Sequence, residues 1–360
     1  MQKIAIVTGM TGQDGSYLIE HLLNDGYKVY AGIRKVSGSL LHNPNIQNIL
    51  NHPNLSISSM DFLNSGSVKS FIKYVEKATV PYMSLIGNYV EVYNLAAQSH
   101  VGESFKIPEI THQINAIGVV VLLESLTQTF KNRFRFYQAS TSELFGNSLT
   151  GELSLLSEVS DFSPTSPYAI AKHAAFQTVK HYRNIHHLHA VNGILFNHES
   201  PRRGLDFVTR KITRGVAEYA TGKNKNSLGL GNIHAKRDWG DARDYILAMQ
   251  MMLQTSGEDT HDYVVATGES HSVKDFCNLA FEKIGIKLEW KGEGINEKAL
   301  GGNSEVLIHI DPKFYRPSDV HHLLGDSTCI RNKLGWKPTH SFKDLVFDMV
   351  ENDIQILKGV

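Results

Sequence analysis

The chain has 360 residues, 41% of them hydrophobic and 20% charged, with 36 basic and 36 acidic side chains and a formal net charge of zero. Such a length supports a large core and about two domains, and a balanced charge gives no global field toward nucleic acid or an anionic membrane, so any basic patch serves a small anionic ligand. Cys277 and Cys329, the only two cysteines, exclude a disulfide framework and suit a reducing cytosol.

The opening, MQKIAIVTG, runs straight into a strand, with no charged segment followed by a long apolar one, so no secretory signal is expected. A helix from Asp14 to Asn24 follows, with Leu18, Ile19, Leu22 and Leu23 on one face. The runs YKVYAGI, LSISSMD and EVYNLAA read as strands, with a helix over Ser67–Ala78 between the last two. AIGVVVLL is too short to span a bilayer and reads as a buried helix before the strand FRFYQAS. Another helix starts near Pro167 and leads to the strand HAVNGILF. Apolar strands alternating with helices predict an α/β fold, a doubly wound parallel sheet covered on both faces. Beyond residue 195 the rhythm loosens into Gly-, Arg- and Asn-rich loops, and DYVVATG reads as one more strand returning to the sheet. The expected division is residues 1–195 with about 232–267, binding a dinucleotide, and a smaller discontinuous domain of about 196–231 and 268–360.

Gly9, Gly12 and Gly15 lie between the first strand and the first helix. Glycines there allow a tight turn and close approach of a pyrophosphate, and the helix N-terminus offers free N–H groups. At the end of the second strand an acid would grip the ribose of NAD. No acid lies between Tyr27 and Ser39, where Arg34 and Lys35 stand. Two cations suit a 2′-phosphate, so NADP is the expected cofactor. Asp61 closes the third strand, as an adenine-contacting acid or as a helix cap.

SPTSPYAIAKHAAF holds Tyr168 and Lys172 one helical turn apart, behind Ser166 and Pro167 as cap and first residue. A lysine ammonium stabilises a phenolate, which then serves as a base for an alcohol. A second such pair, Tyr219 and Lys223, is interrupted by Gly222, which ends its helix.

The glycine loop, the strand-end hydroxyl in QASTSELFG and the Tyr168–Lys172 pair together resemble the extended short-chain dehydrogenase/reductases. Within that family NLAAQSHVGESF, QASTSELFG, NGILFNHESPRRG, FVTRKI, AKRDWGDARDY, YVVATGESHSVKDF and YRPSDV resemble the GDP-mannose 4,6-dehydratase branch, from about Lys3 to Met349. The resemblance implies a Rossmann-type NADP domain with a smaller C-terminal domain for the GDP-sugar. It implies that Thr141, Glu143, Tyr168 and Lys172 form the catalytic set, with Tyr168 taking the C4 hydroxyl proton. Glu143 would then take the C5 proton and protonate the departing C6 hydroxyl, a role that epimerases and simple reductases do not need. Gln13, Asp14, Leu95, Ala97 and Ser99 fall with the cofactor contacts. Asn197, Val208, Lys211, Arg237 and Arg316 match substrate positions, the arginines suiting a pyrophosphate. The resemblance also implies a cytoplasmic homodimer or homotetramer acting on GDP-mannose, and no metal.

The segment 147–162 looks longer than is usual in the family and could alter the mouth of the site. KVSGSLLHNPN departs from the family's serine-rich version, which leaves tetramer geometry less defined than dimerisation. HHLH and the pair His321–His322 lack acid or cysteine partners at metal-ligand spacing and read as solvated helix ends or loops. A GDP-sugar epimerase or 4-ketoreductase, a dehydratase that also reduces its keto product to a GDP-6-deoxyhexose such as GDP-D-rhamnose, and a non-catalytic NADP-binding regulator are the rival readings. Glu143 argues against the first as the sole activity, and the intact Tyr168 and Lys172 against the last.

Overall fold

The computed structural model describes residues 3–34, 43–85, 87–146, 155–255, 260–314 and 322–359. Seven parallel strands form the central sheet: β1 (Ile4–Thr8), β2 (Lys28–Ile33), β3 (Leu55–Ser59), β4 (Val90–Asn94), β5 (Phe134–Ala139), β6 (His189–Leu195) and β7 (Tyr263–Val265). Their order is β7-β6-β5-β4-β1-β2-β3, so the chain winds outward from β1 in both directions. β1, β4 and β6 are buried almost throughout, as a sheet covered on two faces requires.

Helix α1 (Gln13–Asn24) and α6 (Ala242–Gln254) cover one face, around Leu18, Ile19, Leu22, Leu23, Met249 and Met252. Between them in sequence come α2 (Ser65–Met83), α3 (Pro108–Phe130), α4 (Pro167–His186) and α5 (Val208–Ala220). The first three cover the opposite face with Phe71, Ile72, Leu122, Leu123 and Val179. The helix expected over Ser67–Ala78 is longer at both ends, because Asn64 caps it and Pro81 sits inside its last turn. The run AIGVVVLL likewise belongs to a longer helix. By length and composition alone α3 could cross a membrane, and half of its apolar window is buried inside the fold.

A separate core gathers Ile212, Val216, Phe276, Leu307, Val346 and Met349. It joins α5, α7 (Val273–Lys283) and α8 (Phe342–Lys358) to a four-stranded sheet that includes Leu228–Leu230 and Val306–Ile310. The aspartates of RDWGDARD tie these parts together. Asp238 accepts from the Thr267 and Gly268 amides, Asp241 caps α6, and Asp244 accepts from the Thr339 and His340 amides.

Residues 147–154 lie outside the described residues. The rest of that segment runs along the sheet edge: Leu156 bridges to Gly325, and the Glu158 carboxylate accepts the outward Val264 amide of β7 at 2.7 Å.

Candidate active site

The carboxyl ends of β1, β4, β5 and β6 meet in one place, and the loops leaving them carry most of the expected site residues. Gly9 turns with φ +77°, and a Cβ on it would lie 2.9 Å from the Ala96 amide nitrogen. A Cβ on Gly15 would stand 2.2 Å from the Gly9 carbonyl oxygen, so both positions require glycine. Gly12 is the N-cap of α1 and no side chain caps the helix, which leaves its first turn open to an anion.

Gln13 and Asp14 face the protein. Gln13 Nε2 donates to the His198 carbonyl at 3.0 Å and Gln13 Oε1 accepts from Ser200 Oγ at 2.8 Å. His198 sits between the Asp14 carboxylate and the Phe196 carbonyl, each 2.8 Å from a ring nitrogen, and stacks on Tyr245. Both partners only accept, so both ring nitrogens carry protons. Burial pushes the Asp14 carboxyl up and the His198 imidazole down, but their ion pair outweighs it. Asp14 ends below the ordinary carboxylate range and His198 above the ordinary imidazole range. The sequence reading named Asn197, the half-buried first residue of the strand Asn197–Glu199, but missed its neighbours His198 and Ser200. Their signal was a polar run, FNHES, directly behind a buried strand.

Arg34 is exposed at the end of β2, and Lys35 lies outside the described residues. Asp61 follows β3, where its carboxylate accepts from the Leu63 amide at 3.0 Å, while Asn64 is the residue that caps α2. Leu95, Ala97 and Ser99 leave β4. Asn115 grips this segment, accepting from the Gln98 amide and donating to the Gln98 carbonyl, each at 2.8 Å. It lies in a π-helical turn of α3, Gln113–Ile117, a feature frequent at functional sites.

Thr141 ends the extended run of β5 and caps the single turn Ser142–Leu144, its hydroxyl accepting the Glu143 amide at 3.2 Å. Ser166 caps α4, with Pro167 at the first position, and the Tyr168 amide donates to Ser104 Oγ at 3.2 Å. This orients Tyr168 toward Thr141, whose hydroxyl hydrogen-bonds the phenol. Thr141, Tyr168 and Lys172 are buried, and Glu143 is half-buried. Lys172 Nζ donates to the Ala139 carbonyl at 2.9 Å and lies 5.9 Å from the centre of the Tyr168 ring. Burial pushes the Tyr168 phenol up to about 12; the Thr141 hydrogen bond opposes this and the Glu143 charge adds to it. Burial draws Lys172 down to about 8.

Such a set can move protons between a buried hydroxyl and a carbon acid beside it. It also fits a dinucleotide: Gln98 Oε1 and Ser140 Oγ, one beside Ala97 and Ser99 and the other beside Thr141, are buried without a hydrogen-bond partner among the described residues.

Val208 and Lys211 lie in the first turn of α5. Lys211 Nζ donates to the Gly229 carbonyl at 2.6 Å and lines a cavity of about 430 Å³ with Arg214, Tyr219, Asn224 and Asn226. Arg237 is buried in the strand Lys236–Arg237, donating to the Lys236 carbonyl. Arg316 lies outside the described residues. The second Tyr–Lys pair points elsewhere, Tyr219 to Glu305 and Lys223 to the Leu357 carbonyl. His187 and His189 line a remote cavity with Lys180, Arg183 and Lys333.

Fold and site together define an extended short-chain dehydrogenase/reductase. Among solved structures, dTDP-glucose 4,6-dehydratase of Bacillus anthracis in complex with NAD shares this fold, with a TM-score of 0.75 at 19% identity over 97% of this chain and 96% of that one. The chain belongs to the GDP-mannose 4,6-dehydratase family, whose sequence profile, described as GDP-mannose 4,6 dehydratase, matches residues 6–349. It is 42% identical over 366 residues to GDP-mannose 4,6 dehydratase 2 of Caenorhabditis elegans, covering 99% of this chain and 91% of the relative. It is 44% identical to GDP-mannose 4,6-dehydratase of Sinorhizobium fredii, covering 99% and 98%.

Proposed function

We propose that this protein is an NADP-dependent lyase that converts GDP-D-mannose to GDP-4-keto-6-deoxy-D-mannose by eliminating water. The observation that carries the reading is Glu143, held two residues beyond Thr141 at the end of β5, with its charge felt by Tyr168.

A nicotinamide cofactor on the glycine loop supplies an acceptor for the C4 hydride and a donor of it back to C6. Gly9, Gly12 and Gly15 would give its pyrophosphate room, and Arg34 would meet a 2′-phosphate. Tyr168, ionised with help from the Lys172 ammonium, takes the C4 hydroxyl proton, while Thr141 holds the same oxygen. A 4-ketone acidifies the C5 hydrogen, and Glu143 removes that proton. The resulting carboxylic acid protonates the C6 hydroxyl, which leaves as water, and Glu143 returns to its starting state. Return of the hydride to C6 requires a proton at C5, which balances the one Tyr168 took from the C4 hydroxyl and resets that residue; the net reaction is loss of one water, with no cofactor consumed. The part of the chain built on α5 and the C-terminal segments takes the GDP moiety, with Asn197, Val208, Lys211 and Arg237 as contacts.

The protein acts in the cytoplasm as a homodimer or a homotetramer. α3 supports this assembly: Ile110, Ile117 and Val120 stand exposed on a helix whose other face is already covered by the sheet, and a second copy would bury them.

Incubation of purified protein with GDP-mannose and substoichiometric NADP tests the reading. A product lighter by one water, formed over many turnovers without accumulating NADPH, supports it. Absence of that product contradicts it.

A further inference from the structure

In the register of the central sheet Thr8 pairs with Asn94, and Asn94 with Gln138. Three polar side chains therefore form one rung across β1, β4 and β5, where buried parallel strands ordinarily carry apolar ones. They are 0%, 1% and 2% exposed. Thr8 Oγ1 accepts from the Leu95 and Ala96 amides at 3.0 Å each and donates to Asn94 Oδ1 at 2.8 Å. Asn94 Nδ2 donates to Gln138 Oε1 at 2.8 Å. Gln138 Nε2 donates to the Ala139 carbonyl at 2.9 Å, the same oxygen that accepts Lys172 Nζ.

Both ends of this chain are backbone groups of fixed polarity. The Leu95 and Ala96 amides only donate, and the Ala139 carbonyl only accepts. Each side-chain amide therefore has one possible orientation, and the sequence of bonds cannot run in reverse. Chained hydrogen bonds in a low-dielectric interior polarise one another.

We propose that Gln138 is a positioning residue: its amide fixes the Ala139 carbonyl that anchors Lys172, and through Asn94 and Thr8 it ties that lysine to the cofactor segment beginning at Leu95. The inference rests on the reading of Tyr168 and Lys172 as the catalytic pair. A lysine ammonium is a point charge on a flexible stem. It stays beside Tyr168 only while its acceptor stays still. The glutamine occupies one lone pair of the Ala139 oxygen and leaves the other for Lys172, so the peptide plane is held from two sides. With the ammonium displaced, the phenolate loses stabilisation and Tyr168 ionises at higher pH.

The test compares kcat, KM for GDP-mannose, bound NADP and the pH profile of kcat in wild-type, Gln138→Met and Gln138→Glu holoenzymes. Gln138→Met removes donor and acceptor; Gln138→Glu still accepts from Asn94 but cannot donate to Ala139. Loss of a buried bond of this kind predicts a fall in kcat of about 5- to 100-fold in both variants, with KM nearly unchanged and the acid limb of the profile moved to higher pH. A folded variant whose acid limb stays in place overturns the proposal. So does a variant that fails to fold or to hold NADP, because a positioning role leaves the holoenzyme intact. A wild type without turnover refutes the reaction itself, and this inference with it; an active wild type beside an unaltered variant contradicts the role of Gln138 alone.

Discussion

Lys172 Nζ is fixed 2.9 Å from the Ala139 carbonyl and 5.9 Å from the centre of the Tyr168 ring, so one backbone oxygen sets the distance between the cation and the phenol it serves. In the free protein burial moves the two groups apart, the phenol up to about 12 and the ammonium down to about 8. Ionisation of Tyr168 near neutral pH therefore needs positive charge beside it, from Lys172 and from a bound oxidised nicotinamide. Lys172→Met should lower kcat by about 10²- to 10⁴-fold and shift the acid limb of the pH–rate profile upward, with bound NADP as the control. A variant with an unmoved limb contradicts the role of the lysine.

The same burial bears on stability. Lys172 titrates below its unfolded value, so its burial as a cation destabilises the cofactor-free protein fully below about pH 8. The penalty fades as pH rises to the unfolded lysine value, about 10.4. Cofactor-free Lys172→Met should therefore be more stable than wild type near pH 7, with the difference closing toward pH 10.5. Urea midpoints across that range check the sign; a difference that grows with pH contradicts it.

Glu143→Gln separates the two halves of the reaction. The amide is nearly isosteric and cannot accept the C5 proton. Oxidation at C4 should survive while elimination falls by about 10²- to 10⁴-fold, so stopped-flow absorbance should show NADPH forming and persisting with GDP-mannose. Full turnover by this variant would remove Glu143 from the mechanism.

Arg34 stands exposed at the end of β2 and is the described cation available to a 2′-phosphate there. Arg34→Ala should weaken NADP binding by about 10- to 100-fold, the worth of a charged hydrogen bond, and leave NAD nearly unaffected. Calorimetric titration with both dinucleotides measures this; equal losses for the two would show that Arg34 does not read the phosphate.

Ile117 and Val120 are 58% and 38% exposed on α3. A carboxylate there costs nothing in a monomer and is buried in a dimer built on this face. Ile117→Asp with Val120→Asp should yield monomers in analytical ultracentrifugation, while wild type sediments as a dimer or larger. A wild-type monomer contradicts the proposed assembly.

Much of this site was legible because its signals are local. Ser166 and Pro167 announce the start of α4 within two residues, and the Tyr168–Lys172 spacing is one helical turn. The alternation of apolar runs with helical periods suffices for a parallel sheet. What the sequence concealed depends on distant partners. His198 meets Asp14 across 184 positions, Asn115 meets Gln98 through a π-turn, and Thr8, Asn94 and Gln138 align only once β1, β4 and β5 are adjacent. The helix expected over Ser67–Ala78 continues past Pro81 to Met83. The aspartates of RDWGDARD, within a run that carries the family resemblance, hold loops through partners far away in sequence.

The central claim is an internal hydride cycle ending in elimination, and isotope transfer tests it most directly. GDP-mannose carrying deuterium at C4 should give GDP-4-keto-6-deoxymannose with the label at C6, with no net change in NADPH. Label lost to solvent or left on the cofactor, or product that forms only when NADPH is supplied, would contradict it.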